Sequence, residues 1–242
     1  MLIMSFVATV KLFALLAIAH LGAHSRELCD RFSYHLDYGY GINNNVWGSG
    51  SGDQCTYIDS IAYTGIAWHV DWTWQGDQNT VKSYPYSGRD FAEKISVSAI
   101  RRMPISVDWD YHGNDIRANV AFDLFTASDA EHSHTGGHYE VMVWLATLGD
   151  VEPIGQLAGD FTVGGLGWQL YDGFNGDMHV YTFVAPQPIY TWQADLKLFF
   201  DHLSRHGFPS ATQSLLTLQV GTEPFSGGPA TFSVRHFWSE IE

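Results

Sequence analysis

Hydrophobic and polar residues alternate along most of the chain after Cys29, and turn residues separate the alternating runs. Alternation with a period of two predicts β-strands that bury one face. The turns are rich in Gly, Ser and Asn, as at residues 48–52, 113–115 and 226–229. The pattern therefore predicts an all-β protein, and a two-sheet sandwich or jelly roll accommodates it best.

One segment near residue 200 has the period of an amphipathic α-helix instead. Thr191 would cap its start, and Gly207 followed by Pro209 would end it. The apolar residues that would share one face of this helix are Trp192, Leu196, Phe199, Phe200 and Leu203. The prediction is therefore many strands and a single helix.

Three predicted strands carry an acidic residue on the face that points away from the core. In residues 138–145 (HYEVMVWL), the apolar face is Tyr139, Val141, Val143 and Leu145, and the opposite face is His138, Glu140, Met142 and Trp144. The same alternation puts Asp123 opposite the apolar face of residues 119–125, and Glu223 opposite that of residues 216–223. These acids form a candidate site, and the alternative is that they are ordinary exposed acids on an acidic protein.

Asp123 and Glu140 have a further relation, because residues 126–137 read as a hairpin loop between their strands. Symmetrical pairing about this loop would place the two carboxyl groups opposite each other, about 5 Å apart at Cβ. One of them should then keep a proton and donate a hydrogen bond to the other. Like charges in this position weaken a sheet, so the pair points to function rather than stability.

The N-terminal residues 1–25 have the features of a secretory signal peptide. An apolar run at residues 12–23 follows Lys11, and residues 23–25 (AHS) offer small side chains around a cleavage site. A retained membrane anchor is the alternative, but Lys11 leaves only about half of the roughly 20 apolar residues that a span needs. We therefore expect a secreted, extracellular protein whose mature chain, residues 26–242, is one domain with no membrane association.

The net charge of −14 makes a polyanionic partner such as nucleic acid improbable on electrostatic grounds, since 12 basic residues face 26 acidic ones. The two cysteines, Cys29 and Cys55, would both lie in an oxidising compartment. We therefore expect them to form a disulfide.

Six segments, in chain order, resemble glycoside hydrolase family 12, the small secreted endo-β-1,4-glucanases of fungi, oomycetes and bacteria. They are NNNVWGSGSGDQCT (43–56), WHVDWTWQGDQNTVKSY (68–84), DIRANVAFDLFTA (115–127), YEVMVWLATLGDVEPIG (139–155), YDGFNGDMHVYTFVA (171–185) and GTEPFSGG (221–228). The resemblance spans nearly the whole chain after residue 25.

The resemblance implies a jelly roll of two curved antiparallel sheets with one helix, and an open glucan-binding cleft on the concave sheet. It also implies retaining hydrolysis, in which Glu140 is the nucleophile, Glu223 the general acid/base and Asp123 the carboxylic partner of Glu140. The polar face of HYEVMVWL is then the floor of the substrate cleft. Cys29 and Cys55 match a family disulfide.

The resemblance further implies that Trp47 stacks on a sugar ring and that Asn45 contacts its hydroxyl groups. Additional candidates for the cleft are Met142, Trp144, Asn175 and Phe225. Trp68, Trp72 and Trp74 share one side of their strand, and for them core packing is the better prediction. Asp150 and Glu152 would lie near the cleft rim.

The histidines of the segment EHSHTGGH depart from the family pattern. His132, His134 and His138 have a spacing that would suit a transition metal, but the family needs none, and we expect no metal and no cofactor.

The predicted function is hydrolysis of internal bonds in soluble cellulose and mixed-linkage β-glucan by a monomeric enzyme whose only partner is β-1,4-glucan. The acidic segment GDVEP occupies the place where xyloglucan-specific members tend to carry small residues. A xyloglucan-specific enzyme is one alternative. A non-catalytic glucan-binding or host-recognised protein is the other, and the presence of all three acids argues against it.

Overall fold

The computed structural model describes residues 26–91, 93–129 and 137–242. The expected signal peptide, residues 1–25, lies outside the described residues, and so do His132 and His134. Within the described ranges, no helix combines the length and apolarity needed to cross a bilayer.

The described chain is almost entirely strands. The elements are β1 (Arg26–Leu28), β2 (Tyr34–Asp37), β3 (Tyr40–Asn43), β4 (Ser51–Ala62), β5 (Gly65–Gln75), β6 (Tyr86–Arg89), β7 (Pro104–Gly113), β8 (Arg117–Ala127), β9 (Tyr139–Leu148), β10 (Gln156–Val163), β11 (Leu166–Asn175), β12 (Met178–Val184), β13 (Thr191–Asp195), α1 (Lys197–Ser204), β14 (Ser214–Leu215), β15 (Gln219–Gly221) and β16 (Pro224–Ser239).

These strands form two sheets. Sheet A has the order β1-β4-β5-β16-β7-β13. Sheet B has the order β2-β3-β6-β15-β8-β9-β12-β11-β10, with β14 also paired to β8. The first residues of β16 pair with β8 and so connect the sheets. The predicted all-β jelly roll is confirmed, with one parallel pair, β9 and β12, among antiparallel neighbours.

The core lies between the two sheets and takes one face of each strand. In β9 it receives Val141, Val143 and Leu145, and in β8 it receives Phe122 and Leu124. The predicted apolar faces of these strands are therefore confirmed. Each large apolar side chain fully buried in this way stabilises the fold by roughly 1.5–3 kcal/mol.

Trp68, Trp72 and Trp74 also belong to this core, as predicted, and all three are buried. Their indole N–H groups donate to Ser87 Oγ at 2.8 Å, to Tyr111 OH at 2.8 Å and to Gln54 Oε1 at 3.2 Å, respectively. Each ring thus buries its apolar surface without leaving its polar atom unpaired.

The predicted start of the helix is wrong. Residues 191–195 form the edge strand β13, in which Trp192 lies opposite Val107 of β7. The apolar period that suggested a helix fits a strand here as well, because the backbone of this segment pairs with the edge of sheet A. Thr191 therefore caps nothing, and Asp195 Oδ1 accepts the N–H of Lys197 at 3.0 Å where the helix begins. The helix does end before Gly207, as expected.

The expected disulfide joins Cys29, directly after β1, to Cys55 in β4. We expect replacement of both cysteines by serine to lower the free energy of unfolding by about 3.5 kcal/mol, because the 26-residue separation no longer restricts the unfolded chain. Guanidinium denaturation of the double variant beside the wild type measures this. A loss below about 1 kcal/mol would mean that β1 is held by its pairing with β4 rather than by the disulfide.

Candidate active site

Sheet B carries a cleft of about 730 Å³ on the face that points away from the core. All nine residues predicted to catalyse or to bind substrate lie along it: Asn45, Trp47, Asp123, Glu140, Met142, Trp144, Asn175, Glu223 and Phe225. The fold thus brings together residues that are up to 180 positions apart in the chain.

The three acids occupy adjacent strands at the centre of the cleft. Asp123 is in β8, Glu140 is in the neighbouring β9, and Glu223 follows β15 on the other side of β8. Asp123 and Glu140 are 5% and 8% exposed, and Glu223 is partly buried. The central strand therefore places Asp123 between the other two acids.

The predicted register of the β8–β9 hairpin is wrong by two residues. Asp123 lies opposite Met142, and Glu140 lies opposite Phe125. The predicted loop of residues 126–137 treated Thr126 as a loop residue. In the structure Thr126 belongs to β8 and pairs with Tyr139, and this pair sets the register of the hairpin. A slip of two residues keeps every side chain on its face, so Asp123 and Glu140 are diagonal neighbours instead of direct ones.

The two carboxyl groups nevertheless form the expected hydrogen bond. Burial, followed by the negative charges of Glu140 and Glu223, raises the pKa of Asp123 well above its usual range. Asp123 therefore stays protonated, and its O–H donates a hydrogen bond to Glu140. Burial and the charge of Glu223 raise the pKa of Glu140 as well, and the hydrogen bond from Asp123 opposes that rise because it stabilises the carboxylate.

Glu223 has a different environment. Burial raises its pKa to about 7, and a hydrogen bond from Asn119 limits the rise. Near neutral pH this group can therefore exist in both protonation states, as a group that alternately gives and takes a proton requires.

Asn119 of β8 fixes the position of Glu223, and sequence reasoning did not single it out. Its side-chain Nδ2 donates to Glu223 Oε2, and its Oδ1 accepts the backbone N–H of Glu223 at 2.8 Å. Its own backbone N–H donates to the carbonyl oxygen of Glu223 at 3.3 Å. Asn119 is completely buried, so these bonds hold the carboxyl group of Glu223 in one orientation.

Trp47 is the most accessible of the predicted cleft aromatics, with 45% of its surface exposed. The backbone N–H groups of Trp47 and Gly48 donate to the carbonyl oxygen of Lys82 at 3.2 and 2.8 Å. Lys82 is itself completely buried, and its Nζ donates to two carbonyl oxygens, those of Asp77 and Thr80. The indole is therefore held at the cleft by a well-anchored loop.

Asn45 lies two residues before Trp47 in a left-handed backbone conformation, with φ of +45°. Its backbone N–H donates to Asn43 Oδ1 at 2.8 Å, and its Nδ2 donates to the carbonyl oxygen of Tyr84 at 3.0 Å. The carboxamide is thus oriented by the protein before any ligand arrives.

Met142, Trp144 and Phe225 are more deeply placed than a sugar-stacking role would require. Trp144 is only 2% exposed, and all three pack into a small apolar cluster with Val151 and Val184 beneath the cleft. They form its floor. Asn175, in contrast, is exposed at the end of β11.

The structure adds lining residues that sequence reasoning missed: Phe32, Asn43, Tyr84, Tyr86, Phe125 and Gln219. Two of them had a usable signal, because alternation places Phe125 on the face of Asp123 and Gln219 on the face of Glu223. Tyr84 is buried and donates from its hydroxyl to the carbonyl oxygen of Ala121 at 3.0 Å. The sequence around it, VKSYPY (81–86), contains no acid that would have drawn attention to it.

At the rim, Glu152, Pro153 and Ile154 line the cleft, whereas Asp150 does not. The described lining contains four acidic side chains and no lysine or arginine. The cleft therefore offers no charge complementarity to an anionic ligand.

Of the three histidines whose spacing would suit a metal, the structure describes only His138. His138 does not line the cleft, and its Nδ1 accepts the N–H of Ser128 at 3.0 Å. The close cluster of metal-type donors in these ranges is Glu27 with Cys29 and Cys55, and those cysteines form the disulfide.

Comparison with known proteins identifies relatives over nearly the whole chain. The model of glycosyl hydrolase family 12 matches residues 38–242. Endoglucanase A of Aspergillus kawachii is 41% identical over 239 residues, which cover 96% of this chain and 100% of that protein. The probable xyloglucan-specific endo-β-1,4-glucanase A of Aspergillus terreus is 43% identical over 219 residues, or 87% of this chain and 86% of that one.

Two solved structures share the fold closely. The catalytic domain of Humicola grisea Cel12A, in complex with a soaked thio cellotetraose, has a TM-score of 0.88 and 44% identity over 90% of this chain and 99% of that one. Endoglucanase 3 of Trichoderma harzianum has a TM-score of 0.88 and 42% identity over 91% and 99%.

The bonds of Asn119 lead to a prediction about the charge state of Glu223. We expect Asn119→Ala to raise the pKa of Glu223 above its value in the wild type, because the variant loses a donor that stabilises the carboxylate. Titration of the ¹³C-labelled carboxyl groups by NMR measures this, with Glu223→Gln identifying the resonance. An unchanged or lowered pKa in a folded variant would contradict it.

Proposed function

Because the chain belongs to glycosyl hydrolase family 12, we propose that it is a secreted endo-1,4-β-glucanase that cleaves internal bonds of cellulose and mixed-linkage β-glucan with retention of configuration. The chain is a glycoside hydrolase of the endoglucanase type. The observation that carries the finer proposal is the placement of Glu140, Asp123 and Glu223 on adjacent strands in an open cleft.

In the first step of the proposed mechanism, the carboxylate of Glu140 attacks the anomeric carbon. The carboxylic acid of Glu223 gives its proton to the glycosidic oxygen as the carbon–oxygen bond breaks. The products of this step are a covalent glycosyl ester on Glu140 and a free hydroxyl group on the departing chain.

In the second step, Glu223 is a carboxylate and accepts a proton from water. The oxygen of that water attacks the anomeric carbon and displaces Glu140. Two inversions at one carbon give net retention of configuration.

The hydrogen bonds of the site support this division of roles. Burial raises the pKa of Glu140 to about 8 and that of Glu223 to about 7, so the pKa values alone would not make Glu140 the carboxylate and Glu223 the acid. Glu223, with a pKa of about 7, holds its proton in mildly acidic solution and can lose it in the first step. Asp123 stays protonated and donates to Glu140, so that Glu140 is the one of the pair that carries the negative charge. As positive charge develops at the anomeric carbon, this carboxylate is already oriented toward the substrate.

The form of the cleft supports a polymeric, neutral substrate. Its lining runs across sheet B from Asn43 in β3 to Asn175 in β11, so a chain could lie across several strands. Trp47 offers an exposed indole face to the axial C–H bonds of a glucose ring. The Humicola grisea relative, whose structure contains a thio cellotetraose, supports a glucan as the ligand.

Xyloglucan is the second candidate substrate, because several relatives at 37–43% identity are named xyloglucan-specific endo-β-1,4-glucanases. We propose further that the protein is secreted after removal of residues 1–25. Its mature chain, residues 26–242, then forms one domain and is monomeric.

Hydrolysis of carboxymethylcellulose, barley β-glucan and xyloglucan by the purified mature protein tests the function. We expect product release by the wild type and a loss of about 10³-fold or more in Glu140→Gln, because an amide is a very poor nucleophile. Glu27→Gln, a matched change in β1, should retain full activity. Absence of hydrolysis of all three polysaccharides by the wild type would refute the proposed substrates.

Asp123→Asn provides a graded comparison in the same assay. Its amide can still donate a hydrogen bond to Glu140, so we expect a loss of roughly 10–100-fold, smaller than that of Glu140→Gln. Equal losses in the two variants would contradict the orienting role of Asp123.

The charge state of Glu223 sets the alkaline side of the pH profile. As pH rises through about 7, the free enzyme loses the proton that Glu223 must give, so kcat/KM on β-glucan should fall. A profile of initial rates at low substrate concentration between pH 4 and 9, as a rough range, measures it. A constant kcat/KM up to pH 9 would exclude Glu223 as the general acid in its observed environment.

A further inference from the structure

The backbone pairing of β8 is irregular at the position of Glu223. β15 ends at Gly221 and β16 begins at Pro224, and both of these residues pair with β8 in one continuous register. Thr222 and Glu223 lie between the two strands, and the shared register places Glu223 opposite Asn119. A regular antiparallel pair at this position would exchange two backbone hydrogen bonds.

Only one of these two backbone bonds is present. The N–H of Asn119 donates to the carbonyl oxygen of Glu223 at 3.3 Å. The N–H of Glu223, in contrast, donates to the side-chain Oδ1 of Asn119 at 2.8 Å, and the backbone carbonyl oxygen of Asn119 accepts the hydroxyl group of Thr222. Thr222 thus takes the place of a backbone donor. The Asn119 carboxamide binds Glu223 at two points, because its Nδ2 also donates to Oε2.

The side chain of Thr222 lies on the core side of sheet B. Alternation places it on the face opposite Glu223, and it is completely buried. Its Oγ1 lies 3.3 Å from the hydroxyl oxygen of Tyr111 in β7, and that oxygen lies 2.8 Å from Nε1 of Trp72 in β5. A chain of hydrogen bonds therefore runs from sheet A to the residue that holds Glu223.

The direction of this chain is fixed by its two ends. An indole N–H can only donate, and a carbonyl oxygen can only accept. Trp72 therefore donates to Tyr111. Tyr111 in turn donates to Thr222, whose own proton is directed at the carbonyl oxygen of Asn119. Burial raises the pKa of Tyr111 further above its usual value, so the phenol keeps the proton that this arrangement needs.

We propose that Thr222 is a positioning residue for Glu223. Its hydroxyl group satisfies the backbone carbonyl oxygen of Asn119 and so leaves the N–H of Glu223 available to the Asn119 carboxamide. The core of the protein thereby orients a carboxyl group on the opposite face of sheet B. The inference rests on the proposed role of Glu223 as the general acid/base, and it extends that role to a residue that does not line the cleft.

Thr222→Val tests the proposal, because valine has nearly the same shape and lacks the hydroxyl group. The N–H of Glu223 should then turn to the vacant carbonyl oxygen of Asn119, and the carboxamide loses one of its two bonds to Glu223. A less firmly held carboxamide stabilises the carboxylate less, so we expect the pKa of Glu223 to rise by about 0.5 or more. Titration of the ¹³C-labelled carboxyl groups by NMR measures this, with Glu223→Gln identifying the resonance.

Kinetics on barley β-glucan provide the second measurement. In Thr222→Val we expect kcat to fall about tenfold and KM to stay within about twofold of the wild type, because the proton donor is displaced and the sugar contacts are not. The alkaline limb of the kcat/KM profile should move to higher pH together with the pKa of Glu223. The other titratable groups that interact with Glu223 among the described residues are Asp123, Glu140 and Tyr84, and the substitution leaves all three in place.

Two control variants separate positioning from a general loss of packing. Thr222→Ser keeps the hydroxyl group and should restore the wild-type pKa of Glu223 and most of kcat. Thr126→Val removes another buried hydroxyl group, which donates to Gln213 Oε1 at 3.1 Å on the same strand β8, and it should leave the pKa of Glu223 unchanged. An unchanged pKa in Thr222→Val, or the same change in Thr222→Ser or Thr126→Val, would overturn the proposal.

Tyr111→Phe keeps the proposal falsifiable if Thr222→Val does not fold. It removes the donor that orients the Thr222 hydroxyl group and leaves that group in place, so we expect the pKa of Glu223 to change in the same direction by a smaller amount. In that case a pKa of Glu223 in Tyr111→Phe equal to that of the wild type would overturn the proposal.

The NMR titration needs no substrate, so it separates this inference from the proposed function. A raised pKa in Thr222→Val, found in a protein whose wild type hydrolyses no glucan, would support the positioning of Glu223 and refute the glucanase proposal. Hydrolysis of β-glucan by the wild type, together with an unchanged pKa in Thr222→Val, would leave the glucanase proposal intact and refute the role of Thr222.

Discussion

Each strand that forms the site has to bury one face against sheet A while its other face lines the cleft. In β9 this constraint places Glu140 between two core residues, with Val141 directly after it in the fully buried face. A shift of one residue would exchange the two faces, expose the core and bury the acid, which the packing of the core forbids. The packing of the hydrophobic core therefore determines which side chains line the cleft, although the core residues themselves lie on the opposite face of each strand.

This arrangement brings acidic groups close together, which is electrostatically unfavourable. Three carboxyl groups on adjacent, largely buried strands would destabilise the fold if all were ionised. The structure limits that cost because Asp123 keeps its proton and uses it to bind Glu140, while Asn119 binds Glu223. Such an arrangement favours reactivity over stability, as is common where local rules of folding are broken.

The periphery of the cleft is fixed by backbone contacts between distant segments. Trp47 depends on the carbonyl oxygen of Lys82, whose backbone N–H in turn donates to the carbonyl oxygen of Pro224, at the beginning of β16 and directly after Glu223. The loop that carries Trp47 and the segment that follows Glu223 are thus connected through a single short chain of hydrogen bonds.

The alternation of the sequence alone determined the fold class, the core faces of β8 and β9, and the side on which Asp123, Glu140 and Glu223 lie. It could do so because a strand has a side-chain period of two, which is a local property. The tertiary structure decided the hairpin register, since pairing depends on where the loop closes, and it decided that residues 191–195 form an edge strand, since that choice depends on an available partner, β7. It also decided the contacts of Asn119 with Glu223. These are relations between residues far apart in the chain, and no local pattern encodes a distance in space.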